Sequence, residues 1–265
     1  MKIQRRQLGG IEYYVQLEDD GGIFSVSQSL DSLLQGRGLK SSALIDKLSS
    51  GEGRVLSPVP VGKIIAIGLN YRAHAAEFNK PLPEEPLIFM KPASAIIAHL
   101  EPILLPAQSQ EVHFEGELAV VIGKPTRDVS AADAPNHILG YTICNDVTAR
   151  DIQRREGKYT RAKGFDTFAP LGPCLETDLD PLAVTIETWV NHERRQHSPC
   201  NDMIFGIPEL ISFVSSVMTL SPFDVITTGT PSGVGPITHG DTVRITISGI
   251  GTLENPVRSR VYGNS

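Results

Sequence analysis

Three acidic residues in two strand-like segments are the first candidates for chemistry in this sequence. Glu115 and Glu117 stand two residues apart and are followed by an apolar run at 118–122. Because side chains alternate between the two faces of a strand, both carboxylates point the same way. A second strand-like segment, 141–147, has Asp146 near its end. The spacing therefore makes three carboxylates at strand ends candidates for one site.

Such a group of carboxylates is typical of a metal site. Like charges in a partly buried place raise each other's pKa, so the arrangement usually needs a cation. Hard oxygen donors suit Mg²⁺ or Mn²⁺, and a site with few protein ligands leaves positions for water and substrate. The same spacing also fits a solvated strand face, with Asp146 capping a turn.

A histidine and a glutamate form the second candidate. Residues 70–77 follow a strand-like run and are predicted to form a short helix, in which His74 and Glu77 lie on one face. A carboxylate at this spacing can orient an imidazole and raise its basicity. An ordinary exposed helix pair is the alternative interpretation. The polar, proline-rich segment 78–86 is predicted to be a loop over the site.

Two side chains after the second acidic segment face the same direction if a helical turn begins there. Arg150 and Gln153 come four and seven residues after Asp146, so they could point back at a bound ligand. The alternative for Arg150 is a salt bridge with Asp151 or Glu156.

Two further features favour no single interpretation. Lys91 ends an apolar strand, where it either faces a buried partner or extends its ammonium to solvent. The glycine-rich turn at 229–235 bares backbone N–H groups, so it can bind an anion, or it simply needs glycine for a tight turn. It lacks the G-K-[ST] ending of a phosphate-binding P-loop.

Three other residues are predicted to have structural roles. His113 shares the face of the two glutamates, but we expect it outside the ligand set, as a neighbour of the ligands or an exposed side chain. Cys144 has no base at a recognisable spacing, which indicates a buried structural thiol. If 191–194 is a hairpin turn, His192 must adopt a positive φ, which costs about 1 kcal/mol.

The elements that position these residues are mainly short strands. From residue 61 onward, apolar or alternating runs are separated by Gly, Pro and Asn turns. One long helix is predicted from 207 to 218, with Pro208 in its first turn. We therefore predict an α+β, mainly β fold. Residues 1–55 are predicted to form a small N-terminal α+β module, and 61–265 the catalytic domain.

Composition excludes several classes of function. The chain has 265 residues and a net charge of −6 without a basic run, which argues against nucleic acid as a partner. Its apolar runs are too short to span a bilayer, so no membrane is expected. The three cysteines form no C-x-x-C pair, and no signal peptide is recognised. These features indicate a soluble cytoplasmic protein.

Six sequence blocks resemble the fumarylacetoacetate hydrolase family, and the resemblance spans about 61–258. The blocks are GLNYRAHAAEF (68–78), EGEL (115–118), NDVTARDIQRR (145–155), KGFDTFAPLGP (163–173), NDMIF (201–205) and TGTPSGVG (228–235). The resemblance implies the family's mixed β-sandwich roll for the catalytic domain. It also implies that Glu115, Glu117 and Asp146 bind Mg²⁺ or Mn²⁺.

The resemblance implies roles for further residues. His74 and Glu77 would serve as a general base, and Lys163 would place a cation near the substrate's developing oxyanion. Three residues would contact the substrate: Arg150, Gln153 and Thr230. The segment 78–86 would act as a lid, and the protein is expected to be a homodimer.

The implied function is a Mg²⁺-dependent enzyme acting on 2-oxo and 2,4-dioxo acids through a metal-bound enolate. Hydrolysis of the C–C bond of an acylpyruvate, such as acetylpyruvate or fumarylpyruvate, is the first expectation. The alternatives are an oxaloacetate tautomerase or decarboxylase and a 2-hydroxyhepta-2,4-diene-1,7-dioate isomerase. An inactive protein that only binds a metal or a small acid is the alternative of another class.

Overall fold

Strands are the main elements of the computed structural model, which describes residues 1–40 and 43–260. The strands in chain order are β1 (Lys2–Leu8), β2 (Ile11–Leu17), β3 (Ile23–Ser27), β4 (Arg54–Val55), β5 (Ile64–Gly68), β6 (Leu87–Lys91), β7 (Ile96–Ile97), β8 (Ile103–Leu105), β9 (Val112–Phe114), β10 (Gly116–Ile122), β11 (Ile138–Asn145), β12 (Thr148–Ala149), β13 (Ala169–Glu176), β14 (Thr185–Val190), β15 (Glu193–Pro199), β16 (Val225–Thr227), β17 (Gly235–Pro236), β18 (Thr242–Ile247) and β19 (Gly251–Ser259).

Helices are few and mostly short. They are α1 (Leu30–Leu34), α2 (Ala43–Ser49), α3 (Arg72–Glu77), α4 (Arg150–Glu156), α5 (Tyr159–Lys163) and α6 (Ile207–Val217), with 3-10 turns at Ala93–Ala95, Ala134–His137 and Cys200–Asp202. The predicted α+β, mainly β fold is confirmed.

The strands form three sheets within the described residues. The largest has the order β3-β2-β1-β13-β11-β10-β16-β5-β6, with β4 added beside β1 and β7 beside β13. A five-stranded sheet has the order β15-β14-β18-β19-β8, and β12-β9-β17 form a small third sheet. The two edges of the largest sheet are therefore β3 and β6, and β10 lies near its centre.

Strand β10 is buried on both faces and separates two hydrophobic cores. Leu118, Val120 and Ile122 pack in a core shared with β14, β18, β19 and α6. Ala119 and Val121 point to the opposite face, into a core that α1 covers. Since each fully buried Val, Leu or Ile contributes about 1.5–3 kcal/mol, this strand is a rigid base for residues at its beginning.

The N-terminal segment adds strands to the largest sheet. The strand-like runs at 11–15 and 23–26 and the helical apolar patterns at 30–34 and 44–48 correspond to β2, β3, α1 and α2, whereas no pattern predicts β1. Ile3 of β1 pairs with Leu175 of β13, so this segment continues the sheet that carries β10. The division into 1–55 and 61–265 stays a prediction, and residues 261–265 lie outside the described part of the chain.

Helix α6 follows the predicted pattern closely. It begins after Gly206, and Pro208 lies in its first turn, where its missing N–H would have had no partner. The buried face contains Ile207, Leu210, Ile211, Val214 and Ser215.

The hairpin between β14 and β15 corrects one prediction. The residue with a positive φ is Asn191, at 55°, and His192 is not strained. Asparagine tolerates this left-handed region because its side chain bonds locally. Here Asn191 accepts from the Thr242 backbone N–H at 3.0 Å and donates to Asp241 at 2.8 Å.

None of the helices in residues 1–40 and 43–260 has the length and apolar character needed to cross a membrane.

Candidate active site

The structure brings the three predicted carboxylates together. Glu115 immediately precedes β10, Glu117 lies in it, and Asp146 follows β11. Gly116 pairs with Asn145 in the antiparallel β10–β11 ladder, so the start of one strand meets the end of the other. One oxygen from each carboxylate lies within 4.8 Å of the others, and all three side chains are buried.

Three buried cations surround these carboxylates. Lys163 donates to Glu115 at 2.8 Å and also to Asp146. Lys91 donates to Asp146 at 2.5 Å, and Arg150 donates to Glu115. Three acidic and three basic side chains therefore form one ion-pair network.

This network decides between the alternative interpretations of Lys91 and of Arg150. Lys91 is 1% exposed, so it faces a buried partner and does not extend to solvent. Arg150 forms its ion pair with Glu115 and not with Asp151 or Glu156. Arg150 also donates to Gln153, which places both side chains on one face of α4.

The acidic groups differ in how well their charge is compensated. Burial alone would raise the pKa of Glu115, but Lys163 and Arg150 outweigh it and hold that pKa well below its usual range. Burial and the neighbouring Asp146 raise the pKa of Glu117 well above its usual value. Among the described residues, no Lys or Arg side chain bonds Glu117, which accepts from the Gly229 N–H at 3.0 Å.

The residues present fit a divalent metal ion. All three acidic side chains supply hard oxygen donors, which Mg²⁺ and Mn²⁺ prefer. Among the described residues, Lys and Arg side chains bond Glu115 and Asp146 but not Glu117. A cation bound among the three would supply positive charge at Glu117.

The predicted pair of His74 and Glu77 forms beside this cluster. His74 Nδ1 lies 2.9 Å from Glu77 Oε2, and the Gly233 N–H donates to the other oxygen of Glu77 at 3.0 Å. His74 is 8% exposed and packs edge-on against Phe78, with ring centroids 5.0 Å apart. A buried imidazole with a fixed carboxylate partner is not an ordinary exposed helix pair.

A cavity of about 410 Å³ is lined by His74 and, within the acidic cluster, by Glu115. Five predicted site residues line it: His74, Glu115, Arg150, Gln153 and Lys163. The segment 78–86 is irregular, as predicted, and contributes Phe78 and Lys80 to the cavity wall. Its action as a lid stays a prediction.

The glycine-rich turn binds the protein's own carboxylates. The N–H groups of Gly229 and Gly233 donate to Glu117 and Glu77, each at 3.0 Å. Thr230 between them is 3% exposed and is not among the residues that line the cavity. Its contact with substrate stays a prediction.

Two residues expected to be structural lie outside the ligand set. His113 bonds Glu111 at 2.9 Å and does not belong to the acidic cluster. Cys144 is buried, and burial raises the pKa of its thiol well above the usual value.

Two buried amides, Asn70 and Gln196, were not predicted to belong to the site. Asn70 donates to the carbonyls of Phe205 and Thr228 and accepts from the Phe205 N–H. Gln196 accepts from the Gly116 N–H at 3.1 Å. A polar residue in a loop or an alternating strand looks solvent-facing, so only the fold reveals these two.

Comparison with known families gives one match over most of the chain. Residues 63–258 match the sequence profile described as Fumarylacetoacetate (FAA) hydrolase C-terminal. A relative from Xenopus laevis, "Oxaloacetate tautomerase fahd2, mitochondrial", is 44% identical over 223 residues, which is 79% of this chain and 70% of that protein.

Two solved structures have the same fold. The X-ray structure of 5-carboxymethyl-2-hydroxymuconate delta-isomerase from Mycobacterium smegmatis has a TM-score of 0.87 and 47% identity, and the match covers 99% of this chain and 100% of that one. Fumarylpyruvate hydrolase from Pseudomonas aeruginosa, in complex with Mn²⁺ and pyruvate, has a TM-score of 0.72 and 32% identity, covering 78% and 92%.

Proposed function

Since the chain belongs to the fumarylacetoacetate hydrolase family, we propose that it is a divalent-metal-dependent enzyme of 2-oxo and 2,4-dioxo acids. Its first proposed reaction is hydrolysis of the C–C bond of an acylpyruvate, such as acetylpyruvate or fumarylpyruvate. The observation that carries this proposal is one cavity lined both by His74, which bonds Glu77, and by Glu115 of the cluster of three carboxylates.

The metal ligands in this proposal are Glu115, Glu117 and Asp146, with Mg²⁺ or Mn²⁺ as the ion. A bound divalent cation supplies Lewis-acid stabilisation of the negative charge that develops on a 2-oxo acid. The Mn²⁺ and pyruvate in fumarylpyruvate hydrolase support this choice of ion and ligand.

The charge of the site supports a small anionic substrate. Three acidic and three basic side chains cancel formally, so a divalent cation leaves a net charge of about +2. A 2-oxo acid in its enolate form carries two negative charges, one on the carboxylate and one on the enolate oxygen. Arg150 and Gln153 would orient the carboxylate, and Lys163 would stabilise the oxyanion.

The base acts through its free nitrogen. When Nδ1–H of His74 donates to Glu77, the lone pair of Nε2 is available to accept a proton from water. The water would then attack the carbonyl carbon beyond the C–C bond to be cleaved. That bond would break with its electron pair passing to the pyruvate part, which would leave as an enolate and take up the proton from His74. Glu77 stabilises the imidazolium that forms, and the Gly233 N–H keeps Glu77 in place.

A second candidate needs no attack by water. The same base and cationic groups could move a proton between carbon and oxygen, giving an oxaloacetate tautomerase or a 2-hydroxyhepta-2,4-diene-1,7-dioate isomerase. Decarboxylation of oxaloacetate belongs to the same branch. The similarity to an oxaloacetate tautomerase and to a muconate delta-isomerase favours this candidate.

One substrate panel tests both candidates. Acetylpyruvate, fumarylpyruvate, oxaloacetate and a 2-hydroxydienedioate are each incubated with the protein and Mg²⁺, Mn²⁺ or EDTA. The enol absorbance is followed and the products are identified. Pyruvate plus a second acid establishes hydrolysis, whereas a changed enol fraction, CO₂ or a shifted double bond establishes the second candidate.

The control variant is Glu117→Gln, which keeps the shape of the side chain and removes its charge. It should abolish metal-dependent turnover of every substrate. Tight, metal-dependent binding of 2-oxo acids without any turnover in the wild type would contradict both candidates and indicate a binding protein.

We further propose a cytoplasmic homodimer, and a monomer mass by light scattering would contradict that assembly.

A further inference from the structure

A buried glutamine joins the two larger sheets next to the acidic cluster. Gln196 lies in β15 of the five-stranded sheet and is 1% exposed. Its Oε1 accepts from the Gly116 N–H at 3.1 Å, at the start of β10 in the largest sheet. Its Nε2 donates to Thr230 Oγ1 and to the Pro231 carbonyl, each at 2.8 Å.

These bonds fix the orientation of the amide. A flipped amide would place its NH₂ group against the Gly116 N–H and its oxygen against the Pro231 carbonyl, and both contacts would be repulsive. The Thr230 hydroxyl accepts from Gln196 and donates to the Gly116 carbonyl at 2.9 Å. Gly116 is therefore held through both its N–H and its carbonyl.

The position of Gly116 gives this contact its importance. It lies between Glu115 and Glu117, so a fixed backbone at this residue fixes the direction of both carboxylates. The packing leaves no room for a side chain, because a Cβ here would lie 2.3 Å from Thr188 Oγ1 and 3.2 Å from Gln196 Oε1.

The same amide holds the glycine-rich turn. Thr230 and Pro231 lie between Gly229 and Gly233, whose N–H groups bond Glu117 and Glu77. The backbone of β15 packs tightly here as well, since a Cβ on Gly233, which has a φ of +99°, would lie 2.0 Å from the Arg195 carbonyl oxygen.

We propose that Gln196 is a positioning residue that sets the geometry of the carboxylate cluster and, through the glycine-rich turn, of the His74–Glu77 pair. It touches neither the cavity nor a reacting atom and acts through Gly116, Thr230 and Pro231. The inference rests on the proposed function, because the cluster must bind a metal for its geometry to matter.

The test is Mn²⁺ binding to the full chain without substrate, measured by titration calorimetry. Gln196→Met keeps the length of the side chain and removes all three hydrogen bonds. Loss of a partner that orients metal ligands typically weakens metal affinity about 10- to 100-fold, and we expect a rise in Kd of that size. The activity of the Mn²⁺-saturated variant should show a lower kcat with a smaller change in KM.

The matched control is Asn255→Leu. Asn255 is 2% exposed and lies in β19 of the same five-stranded sheet. Its Nδ2 donates to the carbonyls of Ala98 and Glu101, each at 2.8 Å, away from the acidic cluster. Its replacement should lower the Tm and leave the Kd for Mn²⁺ unchanged.

Thr230→Val serves if Gln196→Met does not fold, because it removes only the hydroxyl between Gln196 and Gly116. It should also raise the Kd for Mn²⁺. The positioning role would be overturned if the folded Gln196 or Thr230 variant kept the wild-type Kd, or if Asn255→Leu lost as much affinity. Either result would leave the proposed function in place. A wild type that binds no Mn²⁺ would overturn the proposed function and this inference together.

Discussion

Lys91 carries a charge that solvent does not reach. Its ammonium is bonded to Asp146 at 2.5 Å and to the Val147 carbonyl at 3.2 Å. Removing one partner of a buried ion pair typically costs about 3–5 kcal/mol. We expect Lys91→Met to lower the free energy of unfolding by an amount near the lower end of this range, because Lys163 also contacts Asp146. Denaturant unfolding in EDTA measures this change.

Added Mg²⁺ should restore part of that loss. Without Lys91 the cluster has one positive charge fewer, so a divalent cation should stabilise the variant more than it stabilises the wild type. The matched control is Lys63→Met, which breaks the ion pair with the buried Asp224. Equal effects of Mg²⁺ on both variants would show that Lys91 does not balance the charge of the metal site.

A variant of His74 can test base catalysis independently of metal binding. Its ring bonds Glu77 and none of the three carboxylates of the cluster, so His74→Gln should leave the Kd for Mn²⁺ unchanged. A positioned base typically contributes about 10²–10⁴-fold to the rate, and kcat for acylpyruvate hydrolysis should fall within that range.

The control for this variant is His197→Gln, an exposed histidine of β15, which should keep full activity. Hydrolysis at the wild-type rate in the folded His74→Gln variant would contradict the assigned base.

Helix α6 provides a test at the scale of elements. Leu210 on its inner face is 1% exposed, and a buried Leu→Ala change typically costs about 2–5 kcal/mol. Val217 at the end of the same helix is 51% exposed, so Val217→Ala should change the free energy of unfolding by no more than about 0.5 kcal/mol. Urea unfolding of the two variants measures both values, and similar midpoints would contradict the burial of this face.

The sequence predicted those elements whose pattern is local. The apolar spacing of α6 and the paired carboxylates beside β10 are visible within a few residues, and both are found where expected. Strand β1 was missed because its sequence, KIQRRQL, lacks an apolar alternation. Its place in the sheet depends on β13, far along the chain.

The contacts of the site could be predicted only in part for the same reason. His74 and Glu77 are three residues apart, so one helix face suffices to pair them. Lys91, by contrast, meets its partner across 55 residues of sequence, and Gln196 meets Gly116 across 80. No spacing rule connects residues that only the tertiary fold brings together.

At the scale of the whole molecule, the three thiols report on unfolding. Cys144 in β11, Cys174 in β13 and Cys200 in the 3-10 turn Cys200–Asp202 are free and buried. Burial raises the pKa of Cys174 to about 12 and that of Cys200 to about 11, so both remain protonated at pH 8. Since the thiolate is the reactive form, we expect no rapid labelling by a disulfide reagent in the native state.

Labelling of all three cysteines should occur in guanidinium chloride at the same pH. Native-state labelling should be slow and should accelerate in any variant with a lower free energy of unfolding. A thiol that reacts within seconds in the native protein would contradict the burial described here.

The pairing of β1 with β13 has a consequence for synthesis. A ribosome makes β1 before β13, and β4 pairs only with Arg6 and Gln7, so until β13 is made the edge of β1 at Lys2 and Ile3 has no partner. An open strand edge invites pairing with other chains, and charged side chains on the edge oppose it. Lys2, Arg5 and Arg6 are such charged side chains in β1. The residues that remove the apolar alternation from this strand therefore also oppose aggregation of the nascent chain.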